Sequence, residues 1–80
     1  MSKGWEVVLR DVVGPYRWRR DFPGKGFGIV THNRAAYWWE VWLSTRNEGY
    51  VDWDEGQVDT LEKAVRIVEE TFDLVGEVDE

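Results

Sequence analysis

The residue types that most often do chemistry are scarce in this chain. It holds one histidine, His32, and no cysteine. His32 stands at the end of a strand-like run, and neither Ser2 nor Ser44 has a base near it in sequence. Carboxylates abound, but none sits in the apolar setting that raises a pKa for acid–base work. These shortages predict a protein that is not an enzyme. Asp52-x-Asp54-x-Gly56 invites comparison with a calcium loop, which needs oxygen ligands at positions 1, 3 and 5, glycine at 6 and glutamate at 12. Here those last three positions are Gly56, Gln57 and Lys63, so the pattern fails and a solvated acidic edge is the better reading. Gly24, Gly26 and Gly28 alternate, but their spacing fits neither a dinucleotide fingerprint nor a Walker loop, and no helix follows them. No metal and no cofactor is expected.

What the chain does have is aromatic and guanidinium chemistry. Ala35-Ala36-Tyr37-Trp38-Trp39-Glu40-Val41-Trp42-Leu43 carries three of the six tryptophans. Aromatic and β-branched types suit a pleated, packed surface. Strand side chains alternate between faces, so Tyr37, Trp39, Val41 and Leu43 share one apolar face. Trp38, Glu40 and Trp42 share the other, with the two indoles about 13 Å apart. Tyr16-Arg17-Trp18-Arg19-Arg20-Asp21-Phe22 alternates in the same way. It sends Arg17, Arg19 and Asp21 to one face and Tyr16, Trp18 and Phe22 to the other. If the two strands lie in one sheet with matching faces, Arg17 and Arg19 meet Trp38, Glu40 and Trp42. Arginine over tryptophan is a favourable cation–π arrangement. Such a face either closes on itself as cross-strand pairs or meets a partner.

The elements that must position these residues are short and numerous. Strands are expected at 5–13, 16–22, 27–32, 35–43 and 50–54, divided by turn signals at Gly14-Pro15, Pro23–Gly26, Asn33-Arg34 and Thr45–Gly49. Arg20, on the apolar side of its strand, is expected to run its stem along the core and carry its head to water. The last strand is short, with Val51 and Trp53 inward and acid outward, as suits a protected sheet edge. One helix closes the chain. Asp59 is its expected N-cap, with Glu62 three residues on. Leu61, Ala64, Val65, Val68 and Phe72 form its apolar stripe, and Gly76 its stop. The fold expected is α+β: an antiparallel sheet of four to five strands with one C-terminal helix packed on one face, in a single domain spanning 1–76. An acidic tail, 77–80, follows. The expected core is Trp5, Val7, Leu9, Trp18, Phe22, Ile29, Trp39, Val41, Leu43, Trp53, Leu61, Val65, Val68 and Phe72.

Eighty residues without cysteine make a thin core, which aromatic bulk or association with a second copy must supplement. The net charge of −6 is unevenly spread. Residues 1–34 carry seven basic and three acidic groups; residues 35–80 carry three basic and thirteen acidic. Such asymmetry suits a partner surface. No apolar run reaches the ~20 residues of a membrane helix, and no signal-like segment opens the chain, so a cytoplasmic protein without membrane contact is expected.

Asp59-Thr60-Leu61-Glu62-Lys63-Ala64, running on to Glu69-Glu70, resembles the sheet-to-helix junction of HicB-type antitoxins, which implies only the layout of a small sheet followed by a helix. In size, acidity and economy the chain also resembles small acidic phage accessory proteins, including anti-CRISPR-type inhibitors. Several of those present carboxylates where phosphates would lie on a nucleic-acid-binding protein. That resemblance implies a protein-binding inhibitor with an acidic surface drawn from Asp52, Asp54, Glu55, Asp59, Glu62, Glu69, Glu70 and Asp73, beside the aromatic and arginine face. The partner expected is another protein, one that binds nucleic acid or a second copy of the chain. Nucleic acid or a nucleotide held by the Arg/Trp face is the competing expectation, opposed by the net negative charge.

Overall fold

The turn signals each reverse the chain, and the consequence is a meander. In the computed structural model, which describes residues 4–45 and 49–75, five strands lie in sequence order. They are β1 (Glu6–Arg10), β2 (Pro15–Phe22), β3 (Gly26–Asn33), β4 (Ala36–Thr45) and β5 (Gly49–Val58). Every neighbouring pair is antiparallel. A single helix, α1 (Leu61–Val75), packs on one face across β3, β4 and β5. The architecture is α+β, as the alternation and the helical stripe require. The expected helix stop at Gly76, the tail 77–80 and residues 46–48 of the last turn lie outside the described residues.

The turns are built by local chemistry. In the β1–β2 connection the Asp11 carboxylate accepts hydrogen bonds from the backbone N–H groups of Val13 (2.9 Å) and Gly14 (3.2 Å). This is the turn-forming habit of short acidic side chains. Between β3 and β4, Asn33 pairs with Ala36, leaving a two-residue loop in which Arg34 takes a φ of 62°.

The core lies between the sheet's inner face and α1. Trp18, Val30, Trp39 and Val41 come from the sheet; Ala64, Val65, Val68 and Phe72 come from the helix. Phe22 stacks on Phe72 with ring centroids 4.1 Å apart. The helix approaches most closely at Gly28, where an added Cβ would collide with Val68 Cγ1. Trp39 lies across Gly56, its directly opposed partner on β5, at 2.7 Å from where that residue's Cβ would stand. Glycine serves both places because it leaves room for another group's side chain.

Four expected core residues lie elsewhere. An irregularity between Val7 and Leu9 breaks the alternation of β1, and every β1 residue is exposed, Val7 and Leu9 included. Ile29 falls on the outer face opposite Arg19 and Glu40, because Gly28 and Val30 take the inward positions. Trp53 is 59% exposed. Val41 pairs with Asp54 but Trp42 pairs with Asp52, so Trp53 is the extra residue of a bulge. β5 is also ten residues long, twice its expected length. The helix begins one residue later than expected. Thr60, not Asp59, is the N-cap: its Oγ1 accepts from the Lys63 N–H at 3.2 Å. Asp59 stands just outside and pairs with the Lys63 ammonium at 3.0 Å.

Candidate functional site

With α1 on one side only, the opposite face of the sheet is left open, and the register fixes what shares it. One cross-strand row runs Arg17, Thr31, Trp38, Gln57. The next runs Glu6, Arg19, Ile29, Glu40, Glu55. A third runs Asp21, Phe27, Trp42, Asp52. The sequence-predicted residues Arg17, Arg19, Trp38, Glu40, Trp42, Asp52 and Glu55 therefore stand together.

The middle of this face is a stack. The Arg19 guanidinium lies 4.0 Å over the Phe27 ring, while two of its N–H groups donate to Asp21 Oδ1 at 2.9 and 3.1 Å. Phe27 is parallel to Trp42 at 5.9 Å, and Tyr50 meets Phe27 edge-on at 4.8 Å. Arginine thus sits on phenylalanine, not on tryptophan as expected; Phe27 occupies the place between them. Trp42 Nε1 donates to Glu40 Oε1 at 3.0 Å, and Arg17 Nε donates to Thr31 Oγ1 at 3.2 Å. Trp42 is half-buried by these neighbours, but Trp38 stays 43% exposed. Phe27 and Tyr50 are members that sequence reasoning missed. Their alternation was visible, but their place beside Trp42 depends on the strand register.

Acid lines the same face. Glu40 and Glu55 are directly opposed across β4 and β5, a like-charge pairing that costs stability. Asp52 lies opposite Trp42, one row away. The other predicted carboxylates lie apart. Asp54, displaced by the bulge, falls opposite the inward-facing Val41. Glu62, Glu70 and Asp73 are exposed on α1, behind the sheet. Glu69 is a clasp: its Oε2 accepts from Arg20 Nη1 at 2.7 Å and from Trp5 Nε1 at 3.1 Å, tying β2 and the N-terminal segment to the helix. Arg20 thus carries its charge to a helix carboxylate. Lys25 is committed as well; its ammonium donates to the Phe72 carbonyl at 3.0 Å, in the last turn of α1.

At the β3–β4 hairpin end the open face turns into a cleft of about 680 Å³, lined by Asn33, Arg34, Trp38, Gln57, Val58 and Asp59 among others. The hydrogen bond from Lys63, and then its charge, hold the Asp59 carboxyl below its ordinary value of 3.8. Among the described residues no group of three histidine, cysteine or acidic side chains is spaced to hold a metal ion, and no helix is long and apolar enough to cross a membrane. No protein-family model matches the chain, and no curated protein or solved structure matches it.

Proposed function

We propose that this chain is a non-enzymatic protein-binding module of the cytoplasm, an inhibitor of the phage accessory kind, whose open sheet face docks on a basic surface of a nucleic-acid-binding protein. One observation carries the reading. An uncovered face combines an exposed indole, Trp38, and an exposed phenol, Tyr50, with a line of carboxylates from Glu40, Glu55 and Asp52. Exposed tryptophan and tyrosine are the residue types that anchor binding hot spots, and the carboxylates of this face, which outnumber Arg17 and Arg19 there, complement a basic partner. Retaining opposed carboxylates costs the free chain some stability, which a cationic partner would return.

The competing reading, nucleic acid held by the arginines, has less support. Arg17, Arg19, Arg20 and Lys25 each donate to a neighbour within the chain. Arg19 and Arg20 are ion-paired with Asp21 and Glu69, so at those two a phosphate would compete with a carboxylate already in place.

The test is capture from the source cell by the wild-type chain, by Trp38→Ala, by Glu55→Lys and by the helix variant Glu70→Lys, with bound proteins identified by mass spectrometry. The expected result is one nucleic-acid-binding protein retained by wild type and Glu70→Lys and lost by the other two. Equal retention by all four, or loss only with Glu70→Lys, overturns the reading. A retarded nucleic-acid band abolished by Arg17→Glu would favour the alternative.

A further inference from the structure

The cleft beside Trp38 has a composition that the protein-docking reading does not use. Trp38 and Gln57 are directly opposed in the β4–β5 ladder, so the indole and the amide share one wall. Asn33, the last residue of β3, and Arg34, the first of the hairpin loop, line the cleft as well. Among the described residues the side chains of Asn33, Arg34 and Gln57 make no hydrogen bond and no ion pair. This sets Arg34 apart from Arg17, Arg19 and Arg20, whose guanidinium groups all have partners. The volume of about 680 Å³ lies within the ~300–1,000 Å³ typical of small-molecule clefts.

We infer that this cleft binds a nucleoside monophosphate: the base lies on the Trp38 indole, its edge meets the Asn33 and Gln57 amides, and its phosphate pairs with Arg34. Each part follows from ordinary chemistry. An exposed indole is a stacking surface for any base. Side-chain amides offer both donors and an acceptor to a base edge. A guanidinium matches a phosphate with two parallel hydrogen bonds. Asp59, also on the lining, would repel a phosphate placed beside it. Its pairing with Lys63 offsets part of that charge, and its remaining oxygen can accept from a ribose hydroxyl. The phosphate therefore belongs at the Arg34 end and the sugar at the Asp59 end.

Calorimetric titration of the whole chain with AMP, CMP, GMP and UMP, and separately with adenosine and inorganic phosphate, tests the inference. At least one nucleotide is expected to bind with a Kd below about 1 mM. Arg34→Ala should weaken it about tenfold while leaving the thermal midpoint unchanged, since one charged hydrogen-bonding partner is removed from an exposed position. Gln57→Ala should alter the ranking among the four bases. If inorganic phosphate binds as tightly as any nucleotide, the cleft holds an adventitious ion only and the inference fails. It fails also if no nucleotide binds with a Kd below about 1 mM, or if Arg34→Ala binds like wild type. Arg34 and Gln57 lie outside the capture test above, so either reading can fail without the other.

Discussion

Gly28 leaves a gap in β3 that Val68 of the helix fills. Gly28→Ala should therefore act as overpacking, costing about 1–3 kcal/mol. Adding Val68→Ala should relieve the collision, so that in chemical denaturation the pair costs less than the sum of its singles. Glu69 was expected on a partner surface but serves the fold, taking hydrogen bonds from both Arg20 and Trp5. Glu69→Ala should lower stability by about 1–2 kcal/mol through the loss of two half-buried hydrogen bonds, one of them charged. A drop within about 0.5 kcal/mol, the range of an ordinary surface change, would contradict that role. Helical spacing sets Glu69 at the edge of the apolar stripe and Glu70 on the far side, but it does not say what Glu69 meets. Only the packing of α1 against Trp5 and β2 does.

Whole strands and the helix behave more regularly than single residues, and here the sequence was most readable. The faces of β2 and β4 follow from alternation alone, and Trp18, Trp39 and Val41 are buried as that pattern requires. β5 departs because its bulge is a property of pairing with β4, and the five-residue pattern around Trp53 cannot reveal it. Trp53→Ser should thus change the unfolding midpoint little, by no more than about 0.5 kcal/mol in stability, whereas Trp39→Ala should cost about 3–5 kcal/mol. The helix start holds a pH-dependent contact. Lys63 lowers the Asp59 pKa in the folded chain, so the folded state holds that proton less readily than the unfolded one. The stabilisation is present above the unfolded value near 3.8 and is lost as pH falls through the lower folded value. Lys63→Gln should therefore melt slightly below wild type at pH 7, and the two curves should converge in strong acid.

For the molecule as a whole, charge is sorted by space and not by chain order. The sequence divides into a basic first part and an acidic second part, and the phage-type resemblance implies one acidic surface drawn from Asp52 to Asp73. The fold splits that acid between two sides. Glu40, Asp52 and Glu55 stand on the open face; Glu62, Glu70 and Asp73 stand behind, on the helix. Helix and strand carboxylates lie on opposite sides of a sheet, which no linear count could indicate. The docking reading then assigns the driving charge to the open face alone. Partner affinity should fall steeply between low and high salt in wild type. With Glu55→Gln that fall should be shallower, whereas Glu70→Gln should leave it unchanged; equal slopes for all three would remove the open-face carboxylates as the cause.

The outermost strands bear on how copies of the chain can stack up at high concentration. β1 is five residues long and irregular in register; β5 is longer but carries an extra residue and Asp52, Asp54 and Glu55. Kinked or negatively charged borders give an arriving strand no flat template, so amyloid-like polymerisation has no free end from which to grow. Neutralising β5 with Asp52→Asn, Asp54→Asn and Glu55→Gln together would strip away half of that safeguard, and thioflavin-positive fibrils would be the visible result.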